Sequence, residues 1–486
     1  MGLPLTTNSQ VRGRGEAAAA APVRDLLLLS DLHLGSHLKP RMRGEHVHLA
    51  ARIDEVLPRF LDHYAGRGPW QLIINGDFID FWNIEFGRES AREGEELALR
   101  RARAAFDAYP GVEDALVRFL AAGNAVVFVT GNHDAELLYP GVRRAIKARL
   151  ERASAADEGP ASAADACRLG EAAAGTVSFV SWFLHEPGAL WIEHGHLFDA
   201  ACATTDVLAP TRKGRLVKTL AEVATRSFTN LMPEIDYDAP DTYTAADYAR
   251  WAAARGLRFV LLVVLLYLRM VGQMLWLWVG RGRVDRQGRA AHQERLEAIA
   301  ENAGLQMSTL SALQEMAPPP STATVGGVLS VTALDVLLTL LSLTAAGLVI
   351  AALSGGSRAL GAVIGLGLGV LAVRGIRRRR RKRAIADEMS EVAIDVGRMT
   401  EVPLVLMGHS HRGSIDVHGG VVYGNSGSWL DGSHLVVRRD RRSGRPTAVE
   451  LRRWRNGGVM VLDRHEVAAA DGRARTVDDR RAAAIG

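Results

Sequence analysis

The chain has 486 residues, 48% of them hydrophobic and 23% charged, which is more than one typical domain and implies at least two units with room for a large core. Two cysteines, Cys167 and Cys202, form no CxxC pair and exclude a disulfide-stapled scaffold, which fits a cytosolic setting with indifferent thiols. The net charge of +5 would suit an anionic partner, but the densest basic run, Arg377 to Arg383, directly follows apolar sequence and so points to lipid headgroups before nucleic acid.

Residues 1–24 mix Gly, Arg and an alanine run with no apolar core, so a disordered tail is expected and no secretory signal. The start MGLPLT fits a myristoylation pattern through Gly2 and Thr6, a match short enough to arise by chance. From 25 to about 200 apolar runs alternate with helical patterns such as Val47 to Ala65 and Glu93 to Ala108, the rhythm of a layered α/β fold. The run Leu26 to Leu29 reads as a strand covered on both faces, and it ends in Asp31 and His33. Residues just past the C-terminal end of such a strand project into the crevice where ligands bind.

The same grammar recurs. Asp77 and Asp80 follow Leu72 to Ile74; Asn132, His133 and Asp134 follow Ala125 to Val129; His194 and His196 follow Leu190 to Ile192; His409 and His411 follow Val402 to Met407. One such polar residue is usually a satisfied core or capping group, whereas five blocks in a row favour a shared site. The Ala, Ser and Asp-rich stretch 153–172 reads as a surface loop.

From about 201 the rhythm breaks, and an insertion running to 399 separates His194 from His409. Its first part, 205–250, reads as amphipathic helices that cap the cleft. Phe259 to Gly280 is strongly apolar but contains Arg269 and Gln273. Val336 to Leu353 and Ala359 to Val373 are uncharged and separated only by Ser354 to Arg358, which suggests a membrane hairpin near 336–376 followed by a basic linker, 377–399. Gly361, Gly365 and Gly369 recur every fourth residue and permit close approach of a neighbouring helix. Both halves of a shared site must lie in one compartment, so the insertion crosses a membrane an even number of times. The hairpin is therefore assigned as two-pass, with 259–280 lying in the interface as an amphipathic helix or packing under the hairpin; the alternative pairs 259–280 with 328–353 and leaves 359–373 re-entrant. Asp335 reads as a helix-start carboxylate. Beyond the site, 413–463 alternates like a closing antiparallel sheet, and the tail from 466 is again disordered in composition.

Taken together, D-x-H at Asp31 and His33, G-D at Gly76 and Asp77, G-N-H-D at Gly131 to Asp134, H-G at His194 and Gly195, and G-H-x-H at Gly408 to His411 resemble the calcineurin-like metallophosphoesterases. The resemblance covers 25–200 and 400–465. It implies an α/β fold of the four-layer αββα sandwich type, interrupted by the helical insertion. It also implies a dinuclear centre, one metal held by Asp31, His33, Asp77 and His411, the other by Asp77, Asn132, His194 and His409, with Asp77 bridging and a metal-bridging hydroxide attacking phosphorus. Mixed His, Asp and Asn ligands suit transition metals, manganese first, then iron or zinc. By the same resemblance His133 stabilises phosphoryl oxygens or protonates the leaving group, and Asp134 orients it. His37, His46, His48 and His185 receive no role.

Within the family, SDLHLG, GDFIDFW and the NSGSW stretch at Asn425 to Trp429 are nearest to the UDP-2,3-diacylglucosamine pyrophosphatase branch. That branch usually has Arg where His133 stands and HGD where this chain has His194, Gly195 and His196. The expectation is therefore a membrane-anchored phosphoesterase at the inner membrane, its catalytic domain facing the cytoplasm, acting on a phosphorylated small molecule or a lipid-linked substrate. Membrane lipids are expected partners and nucleic acid is not. A nuclease, and a scaffold with a vestigial phosphatase domain, are the alternatives.

Overall fold

The computed structural model describes residues 23–35, 45–86, 94–152, 175–232, 245–281, 283–323, 327–328, 334–353, 357–379 and 385–467. Most of both tails, the loop 153–172, Cys167, His37 and most of the Arg377 to Arg383 run lie outside them.

Among the described residues fourteen strands follow in chain order: β1 (Asp25–Leu29), β2 (Trp70–Asn75), β3 (Ala125–Val129), β4 (Val177–Val180), β5 (Phe183–Glu186), β6 (Leu190–Glu193), β7 (Thr211–Arg212), β8 (Arg215–Leu216), β9 (Leu404–Met407), β10 (Ser414–His418), β11 (Val421–Asn425), β12 (Ser433–Arg439), β13 (Pro446–Arg455) and β14 (Gly458–Glu466). One seven-stranded sheet has the order β14-β13-β12-β1-β2-β3-β4, and a five-stranded sheet the order β10-β11-β9-β6-β5. β1 to β4 run parallel, and β12 joins β1 antiparallel. In the second sheet β6, β9 and β11 are parallel. The alternating C-terminal stretch is thus divided, β10 and β11 completing one sheet and β12 to β14 the other.

The central strands β1, β2, β3, β6 and β9 are largely apolar on both faces because both are covered, and the period of two separates the faces. Leu26 and Leu28 of β1, Ile73 of β2 and Val127 of β3 share one core with Leu190, Ile192, Leu404 and Leu406 of the second sheet. Leu27, Leu29, Leu72, Ile74 and Phe128 point the other way, into a core with Phe60, Phe106 and Phe119 from the helices Glu45–Ala65, Glu95–Ala108 and Pro110–Ala121. Trp191, Val405, Met407 and Tyr423 on the far face of the second sheet pack with Leu296, Ile299, Leu310, Leu313, Met389 and Val396. These last six belong to the helices Arg286–Ala303, Met307–Met316 and Ile385–Met399. Part of the stretch assigned to the insertion is therefore built into the core of the two-sheet fold.

The remainder of the insertion is of another kind. Leu257–Val279 is long and apolar enough to cross a membrane, with only 28% of its apolar window buried. One side, Leu266, Met270, Val271 and Met274, packs with Leu220, Val223, Phe228 and Trp251; the other leaves Leu261, Val264, Leu265 and Leu268 exposed. The helices Leu334–Leu353 and Arg358–Arg379 pack on each other along a glycine seam, where a Cβ added to Gly365 would sit 2.9 Å from the Thr344 Cα. Val363, Ile364, Leu366 and Val370 face outward and are exposed.

Candidate metal centre

Five loops meet where parallel strands of both sheets end. β1 delivers Asp31 and His33, β2 Asp77, β3 Asn132 and His133, β6 His194, and β9 His409 and His411. Turning the chain sharply at the strand ends demands unusual backbone. Among the described residues nine non-glycine positions have positive φ, and five of them are Asp31, His33, Asp77, His409 and His411. Left-handed backbone costs a residue with a Cβ roughly 1–2 kcal/mol. Its concentration on the donor residues is the signature of strain held for function.

The glycines of the motifs make room for the donors. A Cβ on Gly131 would stand 2.7 Å from the Asp77 amide nitrogen, and one on Gly408 would stand 2.6 Å from Ser30 Oγ and 3.1 Å from Asp31 Oδ2. Gly76, at φ +81°, leaves the space occupied by the His194 ring.

Asp77 is central. Its Oδ2 lies 3.3 Å from His194 Nε2 and 4.0 Å from His33 Nε2. His33 Nε2 and His411 Nε2 approach to 3.5 Å, and His411 Nε2 is 3.1 Å from Asp31 Oδ1. On the other side His194 Nε2 is 3.2 Å from Asn132 Oδ1. Two sets of donor atoms, Asp31–His33–His411 and Asp77–His194–His409, each fall within 4.8 Å of one another. Two imidazole nitrogens converging among buried carboxylates fit a shared cation better than a direct bond, so this donor set suits two metal ions with Asp77 between them.

The electrostatics agree. Burial disfavours the charge on Asp31, yet His411 and His194 hold its carboxyl down at about 2; burial likewise opposes the charge on Asp77, which His194 and His133 nonetheless hold well below the usual carboxylate range. Burial also opposes a proton on His194, but Asp77 and Asp31 outweigh it and push the imidazole up to about 10. Burial and the neighbouring His133 push His33 down to about 4. Buried anions here bind protons where no stronger cation competes.

A layer of hydrogen bonds fixes the donors. His194 Nδ1 meets the Asn75 carbonyl at 2.7 Å, which leaves Nε2 for a cation. Ser428 Oγ donates to the Asp31 carbonyl at 3.1 Å, Ser30 Oγ to the Gly427 carbonyl at 2.9 Å, and Asn425 Nδ2 to the Gly408 carbonyl at 2.7 Å. The NSGSW stretch therefore braces the loops of Asp31 and His409.

One assignment is corrected. Asp134 does not orient His133: its two oxygens accept from the Phe78 and Gly131 amides at 2.8 and 2.7 Å, tying the Asp77 loop to the Asn132 loop. Asp80 Oδ1 lies 3.0 Å from His133 Nδ1 instead, and the Trp82 indole stacks on the imidazole at 3.8 Å between centroids. Adjacent side chains such as His133 and Asp134 diverge, whereas Asp80 curls back within the NGDFID turn. The sequence reading also missed Asp199, whose Oδ2 is 3.4 Å from His409 Nε2; it follows the H-G motif and has no counterpart in the pattern. His185 is buried with Nδ1 3.1 Å from the Ala303 carbonyl.

No family model and no curated protein matches the chain. Among solved structures it is similar to the phosphopantetheinyl hydrolase PptH of Mycobacterium tuberculosis, at 13% identity over 88% of this chain and 96% of that one, with a TM-score of 0.24. At that score the likeness carries no argument, and function rests on the site's own residues.

Proposed function

We propose that this chain is a membrane-associated, dinuclear-metal phosphoesterase built on an αββα sandwich, hydrolysing a phosphodiester, phosphomonoester or pyrophosphate bond. The observation that carries the proposal is the convergence of donors from five strand ends on Asp77, with His33 and His411 on one side and His194 and Asn132 on the other. Asp31, His33, Asp77 and His411 would hold one ion, and Asp77, Asn132, His194 and His409 the other, manganese being the first candidate. When bound, such a pair neutralises phosphoryl charge and lowers the pKa of water toward neutrality.

The protein's own part is positioning. His133, anchored by Asp80 and Trp82, would steady a phosphoryl oxygen or protonate the leaving alkoxide. A narrow pocket adjoins Asn132 and is lined by Trp82, Leu138 and, from the insertion, Leu216, Lys218 and Arg226, the last paired with Glu222 at 2.8 Å. Two of its arginines, Arg101 and Arg226, pair with Glu136 and Glu222, and Arg215 and Lys218 line it as further cations that suit an anionic substrate, such as a lipid-linked or nucleotide-linked phosphate. The exposed apolar helices support a seat at a membrane; the proposal places it at the inner membrane with the site on the cytoplasmic side, the hairpin near 336–376 crossing and 257–279 lying in the interface.

The test is purified protein reconstituted with manganese and assayed in parallel on bis-p-nitrophenyl phosphate, p-nitrophenyl phosphate and a UDP-linked lipid. One of the three should turn over, and chelation should abolish it. His133→Ala should lower kcat by roughly 10²–10⁴-fold while retaining two metal equivalents. Absence of metal binding by the wild-type chain sinks the proposal.

A further inference from the structure

Beside the donor sets of the proposed centre, which also include His33, Asp77 and His133, a further set lies against it: Asp199, Cys202 and His409 bring an oxygen, a sulfur and a nitrogen within 4.8 Å of one another. The three are held by separate devices. Asp199 Oδ1 accepts from the Ala201 amide at 2.9 Å, which turns Oδ2 toward His409 Nε2 at 3.4 Å. The Asp199 carbonyl accepts from the amides of Cys202 and Ala203 at 2.9 and 2.8 Å, closing a turn that places the Cys202 side chain, 5% exposed, beside its own Asp199. The His409 amide lies 3.2 Å from Asp31 Oδ2, so its backbone stays fixed whichever way the ring turns.

We propose that Asp199, Cys202 and His409 form a regulatory site for a soft divalent cation, zinc above all, which withdraws His409 from the dinuclear centre and inhibits the enzyme. This rests on the proposed centre only in that His409 belongs to both. A neutral imidazole offers one lone pair, so His409 serves one ion at a time. Manganese has little use for a thiolate, whereas zinc binds sulfur, imidazole and carboxylate together. Bonds of roughly 2.0–2.3 Å in a tetrahedral shell separate ligand atoms by about 3.3–3.8 Å, so the Asp199 to His409 pair is already at working separation. Binding releases the Cys202 thiol proton to solvent as the Zn–S bond forms, and no electron changes hands. The fourth position is open to water or to His196, whose Nδ1 is buried without a hydrogen bond among the described residues and whose ring lies 6.5 Å from that of His409.

Cobalt and zinc separate this site from the catalytic pair. In a Cys167→Ser background, which leaves Cys202 as the sole thiol, cobalt titration should give the near-ultraviolet charge-transfer band of a cobalt thiolate, and zinc should erase it. The band should vanish in Cys202→Ser and weaken at least tenfold in cobalt affinity in Asp199→Asn, a second variant that keeps the sulfur. On the manganese enzyme, zinc should inhibit over the range in which it erases the band, and Cys202→Ser should raise the inhibitory zinc concentration at least tenfold, each variant being read against its own manganese-supported rate. No thiolate band, or equal zinc inhibition with and without the sulfur, overturns the proposal. A thiolate band in a chain that hydrolyses nothing would count against the phosphoesterase reading and leave the cation site standing.

Discussion

His133 is fixed at its edge by Asp80, 3.0 Å from Nδ1, and on its face by the Trp82 indole, while Asn83 in turn donates to the other Asp80 oxygen. A carboxylate on Nδ1 selects the tautomer with its lone pair on Nε2, and it would stabilise an imidazolium in the proposed role of donor to a leaving group. Asp80→Asn keeps the shape and removes the charge. Turnover in that variant should fall by about 10–100-fold with KM and metal content nearly unchanged, a smaller loss than the ~10²–10⁴-fold expected of losing the imidazole itself. Equal activity of Asp80→Asn and wild type would detach Asp80 from catalysis. Asp134→Asn should behave differently, because its two oxygens both accept backbone amides; an amide group there replaces an acceptor with a donor and should lower metal retention as the Asp77 and Asn132 loops separate.

The helix Arg286–Ala303 shows what an element contributes. Leu296, Ile299, Ala300 and Ala303 fall on one face at helical spacing and pack on the second sheet beside Trp191, Val405 and Tyr423. Leu296→Ala should cost about 2–5 kcal/mol in urea denaturation and lower metal retention with it, since β6 and β9 carry His194, His409 and His411. A loss below about 0.5 kcal/mol would mean that this helix is peripheral to the fold. That helix was invisible as part of the catalytic unit because its contacts are long-range: nothing in 286–316 distinguishes a helix that covers a distant sheet from one that belongs to the insertion. The donor loops were legible because each joins an apolar run to a glycine and a ligand, so local pattern and local geometry agree. Pairing within the site was legible only in part. Asp134 and Asp80 are both acids near His133, and which one reaches the ring depends on the turn after Asp77, which spacing does not reveal. The alternation of 413–463 likewise gives strands but not their division between two sheets.

At the scale of the whole molecule, buried acids make stability depend on pH. Burial pushes Glu193 up to about 7 although the indole N–H groups of Trp191 and Trp182 donate to it. A carboxyl with its folded pKa raised binds a proton in the folded state that the unfolded chain has released. Its stabilising contribution is complete below the ordinary carboxyl range and is lost as pH rises through about 7. Between about pH 5 and 8 the metal-free wild type should therefore lose up to about 3 kcal/mol relative to Glu193→Gln, superimposed on a pH-independent offset because Gln has one acceptor for two indoles. A constant difference across that range would place the Glu193 titration elsewhere.

The apolar surface sets where the molecule resides. Leu261, Val264, Leu265 and Leu268 on one helix and Val363, Ile364, Leu366 and Val370 on another are exposed, while the glycines Gly361 and Gly365 lie in the seam between the paired helices. This is the reverse of a water-soluble helix pair, in which large apolar residues fill the seam and polar ones face out, and contiguous exposure on this scale marks a surface made for another apolar phase. The chain should sediment with membranes and resist alkaline carbonate extraction. A charge near the middle of the outer face costs about 2.5–3.5 kcal/mol on insertion scales, so Val363→Arg with Leu366→Arg should move the protein to the carbonate-extractable fraction. The same pair of charges at Leu261 and Leu268 should weaken binding while leaving the hairpin resistant, because that helix keeps one side on protein through Met270 and Met274. Recovery of the wild-type chain as a monodisperse protein in detergent-free buffer would show instead that these faces cover one another, and the proposed even crossing would lose its physical basis.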